Sequence, residues 1–274
     1  MHILCSGSNG FIGQHLFNSL KPNHKIIGFD RNKNKNLLNL GDLAETFLEF
    51  KPDIVIHLAS NVSNDINECR DDVIALLNLL AFCKEFEVKK FIFTSSAAVY
   101  GNSYPNTTPI NPYGISKLQC EQWCDYYSEI GLNVIILRLS NVYGLNGKGV
   151  INQFMQRIKD GLPLTINGNG YQIRDFIHID DVKQVIEQCI NSDISNDILN
   201  VSTNKGSTIW DILKILYEIT NQDIRISFKP ELTKEVKISK LDNSDLIMSE
   251  FLFKNSFRSF FSLKQGIEEL CKEM

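Results

Sequence analysis

The sequence predicts an α/β fold, a doubly wound parallel sheet followed by a smaller C-terminal α/β part. Strand-like and helix-like segments alternate from Met1 to Ser140, which is the rhythm of a sheet wound with crossover helices. DIVIHLAS (53–60) and NVIILRLS (133–140) are apolar almost throughout, as strands buried on both faces must be. Glycines 7, 10 and 13 fall between the first strand and the first helix, where such a fold makes its tightest turn.

Composition fits this fold. The 274 residues suffice for one large domain with an appendage, and 43% hydrophobic with 22% charged residues is ordinary for a water-exposed globular chain. Lys and Arg number 28 against 32 Asp and Glu, a net charge of −4 that argues against a nucleic-acid or anionic-membrane surface. No apolar run approaches a membrane span. The N-terminus runs directly into a strand, which predicts no signal peptide, and the seven scattered cysteines predict a reducing, cytoplasmic setting without a metal site. Cys120 and Cys124 read as packed thiols one helical turn apart.

Element by element, HILCS (2–6) is the first strand, GSNGFIG (7–13) the loop, and an apolar-periodic helix runs to about Leu20. The loop's spacing suits a pyrophosphate held at the helix N-terminus. KIIGFD ends in Asp30, an acid placed for the adenosine ribose hydroxyls and so for NAD, while Arg31 beside it suits the 2′-phosphate of NADP. Residues 31–40 read as a solvated connector with a partial helical turn. Gly41, Asp42 and Leu43 then lead into a helix to Phe50, with Asp42 either meeting the adenine or capping the helix. A long helix is expected over 67–87 and another over 112–130, flanking the strand KKFIFTSS that ends at Ser95 and Ser96. After Asn141 the rhythm changes. A helix near 150–160, a strand at LTI, a polar strand-like run QIRDFIHIDDV (172–182), a helix to Asn191, the strand ILNV, a helix over 208–220 and the strand DIRISF follow. Phe251, Phe253, Phe257, Phe260 and Phe261 read as anchors for a terminal helix. The main sheet is assigned to 1–140, with 176–201 rejoining it, and 141–274 is assigned mainly to the second part.

Chemistry concentrates at TSSAAVYG (94–101) and NPYGISK (111–117). Tyr113 and Lys117 stand four apart and share one helix face. A free phenol has a pKa of ~10, and a neighbouring ammonium favours its ionised form. Ser96, at the end of the preceding strand, can hydrogen-bond the same oxygen. Such a set suits proton transfer in an alcohol–ketone interconversion, given a hydride carrier beside it.

With GSNGFIG, DIVIHLAS, TSSAAVYG, YGISK, LRLSNVYG and RDFIHIDDV in this order, the chain resembles the extended short-chain dehydrogenases/reductases. Within them it is similar to the NAD-dependent nucleotide-sugar epimerase/dehydratase branch, of UDP-glucose 4-epimerase type. The resemblance implies a Rossmann-type sheet with a substrate-binding C-terminal part. It makes Tyr113 the general base, Lys117 the ligand of the nicotinamide ribose, and Ser96 a partner of the reacting sugar oxygen. Gly7, Asn9, Gly10, Phe11, Ile12 and Gly13 become the pyrophosphate loop, Asp30 and Arg31 the ribose end, and Asp42 and Leu43 the adenine contacts. Leu58, Ala59 and Ser60 line the cofactor cleft, while Asn141 and Arg174 hold the sugar nucleotide, the arginine on its diphosphate. His178 with Asp180 and Asp181 reads as structural.

The chain also departs from the family pattern. A second arginine is replaced by Leu232, with Lys234 nearby, and the connectors after Asp30, after Ser60 and between Ser96 and Tyr113 are short. Ala97 and Ala98 stand where 4,6-dehydratases carry an Asp–Glu pair, which argues against dehydration. Three functions follow: a 4-epimerase that retains NAD, a keto-sugar reductase that consumes NAD(P)H, and a non-catalytic dinucleotide-binding protein. The resemblance further implies a homodimer through helices 67–87 and 112–130, which Leu118, Trp123 and Tyr126 would serve if outward, although core packing explains the same residues equally well. It also implies a nucleotide-sugar substrate feeding cell-surface polysaccharide.

Overall fold

A computed structural model describes residues 1–231, 236–244 and 260–273. Leu232, Lys234, Phe251, Phe253 and Phe257 lie outside the described residues. The chain opens β1 (His2–Ser6), α1 (Phe11–Leu20), β2 (Lys25–Phe29), α2 (Leu40–Phe50), β3 (Ile54–His57), α3 (Ile66–Glu85), β4 (Lys90–Ser96), α4 (Pro112–Glu129) and β5 (Val134–Leu139). It continues through β6 (Asn141–Tyr143), α5 (Val150–Lys159), β7 (Leu164–Asn167), β8 (Ile173–His178), α6 (Ile179–Asn191) and β9 (Asp197–Val201). The last part is β10 (Gly206–Ser207), α7 (Ile209–Thr220), β11 (Ile226–Lys229), β12 (Ile238–Ser239) and α8 (Leu263–Glu273).

The main sheet has the order β2-β1-β3-β4-β5-β9, with every neighbouring pair parallel. Strand alternation divides its side chains between two cores. Ile3, Ile54, Ile56, Ile92, Ile135 and Leu137 pack under α1 and α6, whereas Leu4, Val55, Phe91, Phe93, Val134 and Ile136 pack under α2, α3 and α4. The order reverses between β1 and β3, so a crevice opens at the C-terminal ends of those strands. β9 enters this sheet from beyond the excursion that begins at Asn141. Asp65 caps α3 by accepting from the Asn67 and Glu68 amides, and Asn111 caps α4 at the Gly114 amide with Pro112 in the first turn.

The C-terminal part has its own core of α5, β7, α7 and α8 around Phe154, Ile166, Ile212 and Leu216. β8 carries β6, β10 and β12 as neighbours, while β7 pairs with β11. Phe261 donates its amide to Asp181 at 3.1 Å and sets its ring edge-on to His178, and Phe260 packs against the α1/α6 core. Two local expectations change. The cap of α2 is Asn39, which accepts from the Gly41 amide, so Asp42 already lies inside the helix. Leu118 does not face outward but packs beside Ala97, Val99, Tyr100 and Leu241.

Candidate active site

The glycine loop is shaped by contacts that exclude side chains. Gly7 has φ +70°, and a Cβ on Gly13 would lie 2.2 Å from the Gly7 carbonyl oxygen. The loop therefore lies tight against the start of α1, with no side chain between them. Gly10 caps α1 without a side-chain hydrogen bond, and the first turn holds no acid. The amides of Phe11 and Ile12, with the positive end of the helix dipole, are thereby open to an anion. Asp30 stands at the rim, accepting from the Asn9 amide at 3.1 Å and the Asn32 amide at 3.1 Å. A carboxylate keeps further acceptor sites beyond these two, so the residue can serve a ribose while tied to the loop. Arg31 is exposed beside it. This cradle fits the diphosphate and ribose of a dinucleotide.

The adenine end is less open than the sequence suggested. Asp42 accepts from the Asn36 amide at 2.8 Å and the Asn39 side chain at 3.1 Å, bracing the connector that follows the 3-10 turn Arg31–Lys33. Leu43 is completely buried among the residues of the α2 core and takes no place on the cleft surface. On the opposite wall, Leu58, Ala59 and Ser60 are half-buried past the end of β3. Asp72 of α3 fixes that wall. It accepts from Ser60 Oγ at 2.7 Å, the Asn61 amide at 2.8 Å and Asn61 Nδ2 at 2.9 Å.

At the end of β4 the two serines have different environments. Ser95 points inward and donates to buried Glu121, whereas half-buried Ser96 accepts from the Ala98 amide at 3.2 Å and borders the crevice. The 3-10 turn Ala97–Tyr100 then brings the chain back against α4. A Cβ on Gly114 would sit 2.5 Å from the Ala98 carbonyl oxygen, so only glycine lets α4 start this close to the turn. Tyr113 is the preceding residue. Lys117, one helical turn on and 5% exposed, donates to the Thr94 carbonyl at 3.0 Å. Its ammonium is 4.9 Å from the Phe93 ring centre and 5.9 Å from that of Tyr113. Beneath it, His57 is held against Ser6 Oγ at 2.6 Å, and burial together with the Lys117 charge pushes its pKa down to about 3. The ring is neutral and adds no charge to the site.

Beyond the end of β5 lies a cleft of ≈ 320 Å³. Because Ser96 is in register with Leu139, Asn141 emerges one strand over from the Ser96 end of β4. Asn141, Gln153, Asn167, Gln172, Arg174 and Phe176 line this cleft. Gln172, Arg174 and Phe176 are alternate residues, so one face of the β8 chain looks into it. Asn141 Nδ2 donates to the Asp175 carbonyl at 3.1 Å, and Arg174 Nη1 to the Ile173 carbonyl at 3.0 Å. Gln153, Asn167 and Gln172 were not singled out from the sequence. Polar residues recur throughout these elements, so nothing in the sequence set the three apart.

A doubly wound sheet with an open glycine loop, and a Ser, Tyr and Lys beside it, defines a dinucleotide-dependent enzyme of the short-chain dehydrogenase/reductase type. The model of the NAD dependent epimerase/dehydratase family matches residues 3–202, and the chain belongs to that family. An uncharacterised UDP-glucose epimerase of Bacillus subtilis is 30% identical over 86% of this chain and 87% of its own length. Among solved structures, the UDP-glucose 4-epimerase of Thermotoga maritima with UDP-glucose has a TM-score of 0.88 at 28% identity, covering 99% of this chain and 98% of that one. The UDP-glucose 4-epimerase of Thermus thermophilus in complex with NAD has a TM-score of 0.88 at 25% identity, with 99% and 98% coverage.

Proposed function

We propose that the protein is an NAD-dependent nucleotide-sugar 4-epimerase. The observation that carries this reading is the junction of two sites. Ser96, Tyr113 and Lys117 stand on adjoining elements at the crevice, and the cleft lined by Asn141 and Arg174 opens one strand away. The relatives with UDP-glucose and with NAD support the same pairing of ligands. The keto-sugar reductase is not favoured by these relatives, and Ala97 and Ala98 supply no carboxylates for water elimination.

In this mechanism bound NAD supplies the acceptor, and afterwards the donor, of the C4 hydride. The phenol oxygen of Tyr113 takes the C4 hydroxyl proton and later returns it. Ser96 Oγ hydrogen-bonds the same oxygen and holds it in line. The Lys117 ammonium supplies positive charge beside the phenol and a donor for the nicotinamide ribose. Arg174 pairs with the substrate diphosphate and leaves the hexose room to turn about its phosphate bonds. The amides of the glycine loop, together with Asp30, would hold the cofactor from the oxidation of C4 to its re-reduction, so that no net redox equivalent is consumed.

We further propose a homodimer through α3 and α4. Ile115, Trp123 and Tyr126 on α4, and Ile130 just past its end, are exposed, as are Ile66 and Ile74 on α3. Turnover is tested by incubating the purified protein with UDP-glucose and separating UDP-galactose, alongside release and quantification of bound NAD⁺. Tyr113→Phe is expected to lower kcat by ~10²–10⁴ with NAD⁺ content unchanged. Turnover that survives this substitution overturns the mechanism.

A further inference from the structure

Two charges between α4 and β5, one buried and one largely so, take no part in the proton transfer just described. Glu121 lies on α4 one turn beyond Lys117, and Arg138 lies on β5 with its side chain 14% exposed against 2% for Glu121. Arg138 Nε donates to both Glu121 oxygens at 3.0 and 3.2 Å, and Nη2 donates to Oε2 at 2.6 Å. Oε1 also accepts from Ser95 Oγ, and Ser95 is the register partner of Arg138 on the neighbouring strand. The remaining arm of the guanidinium, Nη1, donates to the Tyr100 hydroxyl at 2.7 Å. That hydroxyl donates onward to Asn200 Oδ1 on β9 at 2.8 Å, and Asn200 Nδ2 reaches the Asp242 carbonyl at 3.0 Å.

Three members of this chain of bonds, Ser95, Tyr100 and Glu121, adjoin groups of the candidate site. Ser95 immediately precedes Ser96, Tyr100 closes the turn that follows it, and Glu121 is four residues from Lys117. Leu241, beside Asp242, packs on Ala97, Val99 and Tyr100, so the far end of the chain braces the same turn. Apolar contact alone leaves a helix free to roll or slide on a sheet by fractions of an ångström. A planar guanidinium held by two carboxylate oxygens fixes direction as well as distance. A buried ion pair is commonly no better for stability than well-packed apolar side chains of the same volume. What it adds here is geometry.

We propose that Glu121 and Arg138 are positioning residues, which set the roll and depth of α4 against the end of β4 so that Tyr113 and Lys117 face Ser96. The inference rests on the assignment of Ser96, Tyr113 and Lys117 as the reacting set. Tyr100 extends the clamp to the turn and to β9.

The decisive variant is the double exchange Glu121→Met with Arg138→Met, which replaces the pair by apolar volume without leaving one charge unpaired. Thermal midpoint, bound NAD⁺, and kcat and KM for UDP-glucose are measured on the full chain. The expected result is a folded protein with cofactor retained, KM within about threefold of wild type, and kcat lowered by ~10²-fold, the penalty of a misplacement of about 1 Å. Wild-type kcat together with a wild-type midpoint overturns the proposal and leaves the pair a packing element. Should the double variant fail to fold, Tyr100→Phe decides. It removes one hydroxyl and is expected to lower kcat about tenfold at constant KM, since a hydrogen bond to a charged group is lost; unchanged kcat overturns the proposal. A crystal structure of Tyr100→Phe gives a readout independent of turnover. Displacement of Tyr113 relative to Ser96 supports the inference, and superposition of the two on wild type overturns it. Wild-type protein that converts no UDP-sugar would defeat the epimerase reading and leave this structural comparison intact.

Discussion

His57 illustrates how a single side chain serves the site without touching a ligand. It lies fully buried near Phe91 and Phe93, bonded to Ser6, and its pKa is pushed down to about 3 chiefly by burial and then by Lys117. In the unfolded chain the imidazole takes up its proton near pH 6.5. Between about pH 6.5 and pH 3 the unfolded chain therefore binds a proton that the folded one refuses, and stability falls as the pH falls through that window. Wild-type protein is expected to lose thermal midpoint steadily from pH 7 to pH 4, and His57→Gln to lose less over the same range. Calorimetry at matched ionic strength checks this; equal slopes would place the acid sensitivity elsewhere. At this scale much of the candidate site was readable. Ser96 was picked out by its place at the strand end and the Tyr113–Lys117 pair by helical spacing, whereas the inward turn of Ser95 onto Glu121 appears only in the structure. Leu43 was not readable as a core residue, because an apolar residue at a helix start looks the same whether it faces adenine or Phe47. Nor was the bracing role of Asp42, whose partners are backbone and amide groups of an Asn-rich connector without periodicity.

The element that decides most is α4, whose first turn touches the 3-10 turn Ala97–Tyr100 and whose second carries Lys117. Gly114 allows the contact, since a Cβ there would meet the Ala98 carbonyl oxygen at 2.5 Å and Pro109 Cβ at 2.9 Å. Gly114→Ala gains roughly 1 kcal/mol of helix propensity but overpacks the turn at a cost of about 1–3 kcal/mol. The expected outcome is a net loss of about 1 kcal/mol in urea unfolding, with kcat reduced about tenfold as α4 backs away from Ser96. Full activity with raised stability would mean that the turn yields instead of the helix. The helices were legible because their apolar period repeats several times, and the central strands because their apolar runs are nearly unbroken. β10 and β12, two residues each, carry no period and appear only through pairing with β8. Arg138 and Glu121 belong to separate elements, so sequence spacing gave no sign of their contact.

Across the whole molecule, the exposed aromatic face of α4 is the feature most in need of a partner. Trp123 is 41% and Tyr126 50% exposed, with the two rings edge to face at 6.1 Å between centres. Trp123→Glu combined with Tyr126→Arg is expected to convert a dimer to a monomer in size-exclusion chromatography with light scattering, with little change in bound NAD⁺. Wild-type protein already monomeric at micromolar concentration would remove the dimer from the account. No helix among the described residues is long and apolar enough to cross a membrane.

The position of β9 at the edge of the main sheet has a consequence for biosynthesis. β5 ends at Leu139, yet the strand that covers its outer edge ends at Val201. About sixty residues separate the two, on the order of 3–12 s of translation at ~5–20 residues per second. Throughout that interval a nascent chain carries five strands of a parallel sheet with one apolar edge open, the kind of surface on which neighbouring chains pair. The ribosome must finish most of the cleft lined by Asn141 and Arg174 before it can close the main sheet. Chaperone capture of this protein should therefore peak between those two points, well before the last helix has been made.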